Sequence, residues 1–368
     1  MGTSILVIIA VYFGVLLLIS FLTGKKRSDN ETFFLANRQS PWYIVAIGMV
    51  GTSISGVTFV SVPGMVEQLD MTYMQMVFGF FFGYLVVAYV LLPLYYRLNL
   101  TTIYGYLEQR FGRYSYKTGA SFFILSKIVG AASRLYLVAL ILQTLIFDHW
   151  HIPFYATVIG IVVLIWLYTF RSGIKTIIWT DALQTVCLII ALMLIIWQVA
   201  SRLDLNLVQI ADTIVSSEHS RIFVFDDWVS RQNFFKQFLS GVLITIVMTG
   251  LDQDMMQKNL TIKKLKDAQK NMVSYGFAFT PINYLFLSLG ILLLIFAGQY
   301  NIALPEGSDN ILPLLATEYL GLPVMIFFTI GIIAAAFSSA DSALASLTTT
   351  VCVDILNIKK EKAAKATR

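Results

Sequence analysis

Charge is scarce in this chain of 368 residues: Asp, Glu, Lys and Arg make up 13% of it, against roughly 25% in soluble domains. A soluble enzyme with a solvated surface is excluded on that ground. The 26 basic and 21 acidic residues leave a net charge of +5. Apolar runs separate the basic residues, so they build no patch of the kind nucleic acid requires. Only two cysteines occur, Cys187 and Cys352, far apart and each inside an apolar run. They make no C-x-x-C and no metal-ligand spacing, which excludes a secreted disulfide scaffold and leaves them as small core residues. The histidines, His149, His151 and His219, form no H-E-x-x-H, and no glycine-rich phosphate loop is present. Metal-dependent hydrolysis and ATP-driven transport lose their usual support. No nucleophile–base set stands in for them, so no enzymatic activity is expected.

What the chain has in abundance is apolar surface: 57% hydrophobic residues and a mean hydropathy of +0.75. A helix needs about 20 mainly apolar residues to cross a bilayer. Segments near 3–23, 43–66, 74–96, 118–146, 154–170, 176–200, 234–256, 272–298 and 322–356 meet that need. The first is no signal peptide, because its positive charges, Lys25, Lys26 and Arg27, follow the apolar stretch instead of preceding it. With the N-terminus outside, alternate loops at 25–41, 97–117, 170–176, 257–272 and 357–368 collect most of the Lys and Arg. That asymmetry is what an N-out, C-in helical protein of the plasma or inner membrane requires.

Four charged residues lie within spans: Lys127 and Arg134 in the fourth, Asp181 in the sixth and Asp341 in the ninth. Each costs about 2.5–3.5 kcal/mol near the bilayer centre on insertion scales, which marks it as a candidate for function. Asp181 stands only a few residues into its span and also reads as a boundary residue. In the ninth span Ala335, Ser338, Ser339, Ser342, Ser346 and Thr349 recur at helical spacing and line one face. Small hydroxyl residues serve as packing glue between membrane helices. Asp341 beside the stripe is what glue does not need and a hard cation such as Na+ does. The second span, IGMVGTSISGVTFVSVPG (47–64), carries Gly48, Gly51, Gly56, Pro63 and Gly64 among hydroxyl residues. It reads as a kinked helix or as a broken one, and broken helices at membrane depth line cavities and offer carbonyls to ions.

The segments GTSISGVTFVSVPG (51–64), YLEQRFG (106–112), YTFRSGIKTIIWTDALQ (168–184), LDQDMMQKNL (251–260) and AAAFSSADSALASL (334–347) occur in an order that resembles the sodium/solute symporter family, which includes sodium-coupled sugar, proline, sialic acid and iodide carriers. The resemblance implies an all-α, leucine-transporter-like core of two inverted five-helix repeats in one membrane domain. Residues 3–23 would be an extra N-terminal helix, 43–200 the first repeat, 234–356 a partial second repeat and 357–368 a basic cytoplasmic tail. The second repeat stops after three of its five helices, so the expectation is a fragment of a longer reading frame or a chain that needs a complement. Symport of Na+ with a sugar, sialic acid, amino acid or monocarboxylate is implied. The alternatives are an inactive truncated product or an uncoupled channel or sensor.

By the same resemblance the principal Na+ site comprises the carbonyls of Gly51, Ile54 and Ala335 with the hydroxyls of Ser338 and Ser339. A second Na+ would take Asp181 with Ser338 and Ser342; Asp341 stands where some members carry a hydroxyl and would make that site more strongly charged. Ser53, Ser55, Thr58 and Gln75 are implied in solute binding. Lys127 and Arg134, seven residues apart and so nearly on one face, would attract an anionic solute or pair internally with Asp181 or Asp341.

Overall fold

A computed structural model describes residues 2–23, 30–169 and 173–356. Lys25, Lys26, Arg27, Arg171 and the basic tail 357–368 lie outside the described residues. The chain is helical throughout its core, and each expected span has a helical counterpart. They are α1 (Gly2–Thr23), α2 (Trp42–Ser53) bent into α3 (Gly56–Leu69), α4 (Tyr73–Arg97) and α5 (Arg113–Leu142). There follow α6 (Phe154–Thr169), α7 (Ile174–Arg202), α8 (Phe234–Gly250) bent into α9 (Gln253–Leu260), α10 (Leu265–Gln299) and α11 (Leu322–Ile355). Five of these are unbroken and long enough to cross a membrane, and the two bent pairs bring the number to seven. The apolar α6, with 16 residues, is shorter than that length.

The core sits where α7, α10 and α11 meet the first bent pair. Their apolar windows are 50%, 67% and 72% buried, against 12% for α5. Most of the surface of α5 is therefore left uncovered by the other described residues. Close approach of α2 to α7 depends on glycine: a Cβ at Gly51 would run into Thr185, and one at Gly48 would stand 3.0 Å from Asp181 Cβ. Asp181 is thereby carried to the end of α2.

Both bends arise at capping residues. After Ser53 the chain is extended at Ile54 and Ser55, and the Ser55 hydroxyl accepts the Thr58 amide at 3.3 Å to start α3, 63° off the axis of α2. After Gly250 it is extended at Asp252, whose carboxylate accepts the amides of Asp254 at 2.8 Å and Met255 at 3.2 Å to start α9 at 64°. A short side-chain acceptor at this position satisfies amides that would otherwise be left bare at a helix start. The second bend corrects the sequence expectation that residues 257–272 form an inner loop. Helix α9 runs to Leu260 and α10 begins at Leu265, so Lys258, counted among the loop charges, is a core residue only 1% exposed.

Candidate ion and solute sites

Helix α11 turns its hydroxyl stripe toward the end of α2. Ser339 Oγ donates to the Thr52 carbonyl at 3.3 Å and to the Ala335 carbonyl at 3.2 Å. Ser338 Oγ donates to Asp181 Oδ1 at 2.6 Å, and Ser342 Oγ to Asp181 Oδ2 at 3.3 Å. Ile54, Ala335, Ser338 and Asp181 are fully buried, and Gly51 is buried beside them. The donors gathered here are hydroxyls, end-of-helix carbonyls and carboxylates, hard oxygen ligands that suit Na+ better than a soft transition metal.

Asp181 is also held by Lys258, a residue of the segment LDQDMMQKNL (251–260) that the charge distribution assigns to an inner loop. Lys258 Nζ stands 2.6 Å from its Oδ2 and donates to the Thr52 hydroxyl as well. Asp341, fully buried, accepts from the Tyr168 hydroxyl at 2.9 Å and lies 3.4 Å from Ser342 Oγ. Among the described residues it has no ion pair. This cluster thus sets two carboxylates against one ammonium, and a net negative charge in a buried site calls for a further cation or proton.

Next to it lies a cavity of about 200 Å3. Its lining includes Thr52, Ser53 and Thr58 from the first bent pair, Lys127 and Arg134 from α5, Asp252 and Asp254 from the second, and the rings of Phe80, Tyr84, Tyr275 and Phe279. Ser53 Oγ and Tyr275 OH share a hydrogen bond of 2.5 Å, and Tyr84 OH donates to Tyr275 OH at 2.8 Å. Lys127 Nζ is 2.7 Å from Asp254 and 3.3 Å from Asp252. The internal partners open to Lys127 in the sequence were Asp181 and Asp341; its actual partners are these two, because the second bend swings α9 into the centre. A larger open hollow of about 650 Å3, beside Gln143, Asp148 and His151, contains none of the expected site residues.

Two of the expected solute residues stand apart from the cavity lining. Ser55 spends its hydroxyl on the cap of α3 and on Thr58, 3.2 Å away. Gln75 is fully buried under the loop before α8: its amide donates to the Gln232 carbonyl at 2.9 Å and accepts the Val224 amide at 3.0 Å. In that loop the Asp227 carboxylate accepts the amides of Ser230 at 3.0 Å and Val229 at 2.9 Å, bonds that hold it below the usual carboxylate range.

The sodium:solute symporter family model matches residues 33–368. The sodium/sialic acid symporter NanT of Aliivibrio fischeri (strain ATCC 700601 / ES114) is 25% identical over 359 residues, which cover 96% of this chain and 70% of that protein. The sodium-dependent multivitamin transporter of Oryctolagus cuniculus is 28% identical over 335 residues, 88% of this chain and 51% of that one. A solved structure of the substrate-bound outward-open state of a Na+-coupled sialic acid symporter matches 100% of this chain and 79% of its own with a TM-score of 0.86. At 23% sequence identity that last likeness is one of fold.

Proposed function

Because the chain belongs to the sodium:solute symporter family, we propose that the end of α2 is the point at which its Na+ and its solute are coupled. The chain is a multi-pass membrane protein and a Na+-coupled symporter of small solutes. The observation that carries the coupling proposal is the contact of Ser339 Oγ with the Thr52 carbonyl at 3.3 Å, made at the same residue whose neighbour Ser53 lines the cavity. The ligands of the principal ion are the carbonyls of Gly51, Ile54 and Ala335 with the hydroxyls of Ser338 and Ser339. An ion there ties α2 to α11 and fixes the cavity wall, so each bound species raises the affinity of the other by the same factor. Since Lys258 already holds Asp181, the ligands left for a second cation are Asp341 and Ser342.

On the solute side Ser53, Thr58 and Arg134 contact the cargo, and Arg134 is the anchor for a carboxylate. Lys127 is a positioning residue that fixes Asp254. The distribution of Lys and Arg along the chain supports an N-terminus outside and a C-terminus in the cytoplasm. The two bent spans, each taken as the opening helix of its repeat, support repeats at 43–200 and 234–356. Solute uptake by proteoliposomes under an imposed Na+ gradient, against an equal K+ gradient, tests the reading. Accumulation with Na+ alone, lost in Ser339→Ala, is the expected result. Equal uptake under both gradients would remove the assignment.

A further inference from the structure

Resting on the assignment of the Arg134 cavity as the solute site, we propose that the solute is a small zwitterion, its carboxylate on Arg134 and its ammonium on Asp252. Four charged side chains line the cavity: Lys127, Arg134, Asp252 and Asp254. One ammonium, that of Lys127, is shared between two carboxylates at 2.7 and 3.3 Å, so this group has one acid in excess. Arg134, two turns along α5 from Lys127, makes no ion pair within 4 Å and no hydrogen bond among the described residues; it acts on Asp254 only through space and keeps its own hydrogen-bond donors for a ligand. The four charges sum to zero, but they are paired unevenly across one small space.

Each class of solute meets this arrangement differently. A neutral sugar leaves Arg134 unpaired. A simple monoanion satisfies Arg134 but leaves the second acid of the Lys127 group without a partner and takes the cavity from neutral to a net negative charge. A zwitterion answers both deficits and leaves the total at zero, and buried charges that lack partners are what recognition by a polar site penalises. The two acids differ in what they can still accept. Asp254 holds the shorter contact to Lys127 and its side chain is 5% exposed, whereas Asp252 is 23% exposed and farther from that ammonium. Asp252 is therefore the acceptor for the solute's cationic end. The ion cluster closes its own account separately, because one Na+ offsets the net charge of Asp181, Asp341 and Lys258.

The test uses the full chain, purified in detergent, and thermal-shift titrations in NaCl and in KCl. The probes are L-leucine with N-acetyl-L-leucine and L-leucinamide, L-serine with its N-acetyl and amide forms, and N-acetylneuraminate, lactate and glucose. The expected result is a Na+-dependent shift with at least one free amino acid, and affinities lower by roughly tenfold or more for its N-acetyl and amide forms. Asp252→Asn, which keeps a capping oxygen, should abolish the preference over the N-acetyl form. The unliganded melting temperature checks that this variant is folded; should it not be, the wild-type trio comparison alone decides. Binding of any anion or of glucose as tight as that of every zwitterion overturns the proposal, as does the failure of both free amino acids to bind. The symport reading fails differently: a tight anion whose binding needs Na+ and Ser339 would leave it standing, and indifference of every shift to Na+ would not.

Discussion

The two bent spans turn through 63° and 64°, yet their sequences reach that turn by different means. The first break is built from small and neutral residues: Gly48 and Gly51 let α2 press against α7, and Thr52, Ser53 and Ser55 carry hydroxyls. The second is built from charge, with Asp252 capping α9, Asp254 in its first turn and Lys258 one turn further on. A neutral break exposes carbonyls and hydroxyls, which a hard monovalent cation accepts in place of water. A charged break cannot do that without a fixed counter-charge, and here Lys127 and Asp181 supply one at each end of α9. On the proposed assignment, similar backbone geometry serves two ends, one for holding an ion and the other for sorting solutes by charge.

The charged break should be the more fragile of the two. Removing one member of a fully buried ion pair leaves the other charge bare, at a cost of about 3–5 kcal/mol. Lys258→Met is therefore expected to lower the unfolding temperature in detergent more than any other single change at either break. Adding Asp181→Asn to it should recover part of the loss, since the pair is then replaced by uncharged groups. A Lys258→Met protein as stable as the parent would mean that the 2.6 Å contact contributes nothing to folding.

The same contrast explains what the sequence disclosed. The first break was legible because Gly51, Gly56, Pro63 and Gly64 are poor helix formers packed into one apolar run. The hydroxyl stripe was legible because its spacing matches a helix, and Asp341 stood out as a charge amid apolar residues. The second break was hidden: GVLITIVMTGLDQDMM (241–256) reads as an ordinary span end, and Lys258 merged with Lys263, Lys264 and Lys266 into an apparent inner loop. One signal was available. Asp252 followed by amides it can cap, with Asp254 and Lys258 at i and i+4, marks a new helix start and a polar face continuing past it. The partners of Lys127, Asp252 and Asp254, are hidden for the same reason, because nothing in the local pattern says that α9 bends inward.

At the neutral break the expected loss is in ion affinity and not in folding. Ser339→Ala removes one hydroxyl from a desolvated cation, and a hydrogen-bond-strength contact to a charge contributes about 1.5–3 kcal/mol. Apparent Na+ affinity should fall by roughly tenfold or more, with the melting temperature in K+ little changed. Ser338→Ala should show the same loss of affinity together with some loss of stability, since Ser338 also donates to Asp181. Na+ titrations of solute binding in the two variants separate the effects, and unchanged Na+ dependence in both would remove the stripe from the ion site.

The smallest expected difference lies in the caps themselves. Losing a capping side chain costs about 0.5–2 kcal/mol, and the two caps here are unequal. Asp252 accepts two amides, at 2.8 and 3.2 Å, as an ionised acceptor, and charge-assisted bonds are the stronger kind. Ser55 accepts one, at 3.3 Å, as a neutral hydroxyl. Asp252→Ala should therefore destabilise more than Ser55→Ala. The comparison is confounded by Lys127, which also loses a contact when Asp252 is truncated. Asp252→Asn resolves this, since it discards the charge and keeps a capping oxygen. If capping dominates, Asn at this position melts closer to the parent than to the Ala variant. If the Lys127 contact dominates, Asn and Ala melt together. An Ala variant at position 252 no less stable than the one at position 55 would show that the charged break has no stronger cap than the neutral one, and that its 64° bend is held by the ion pairs at the two ends of α9.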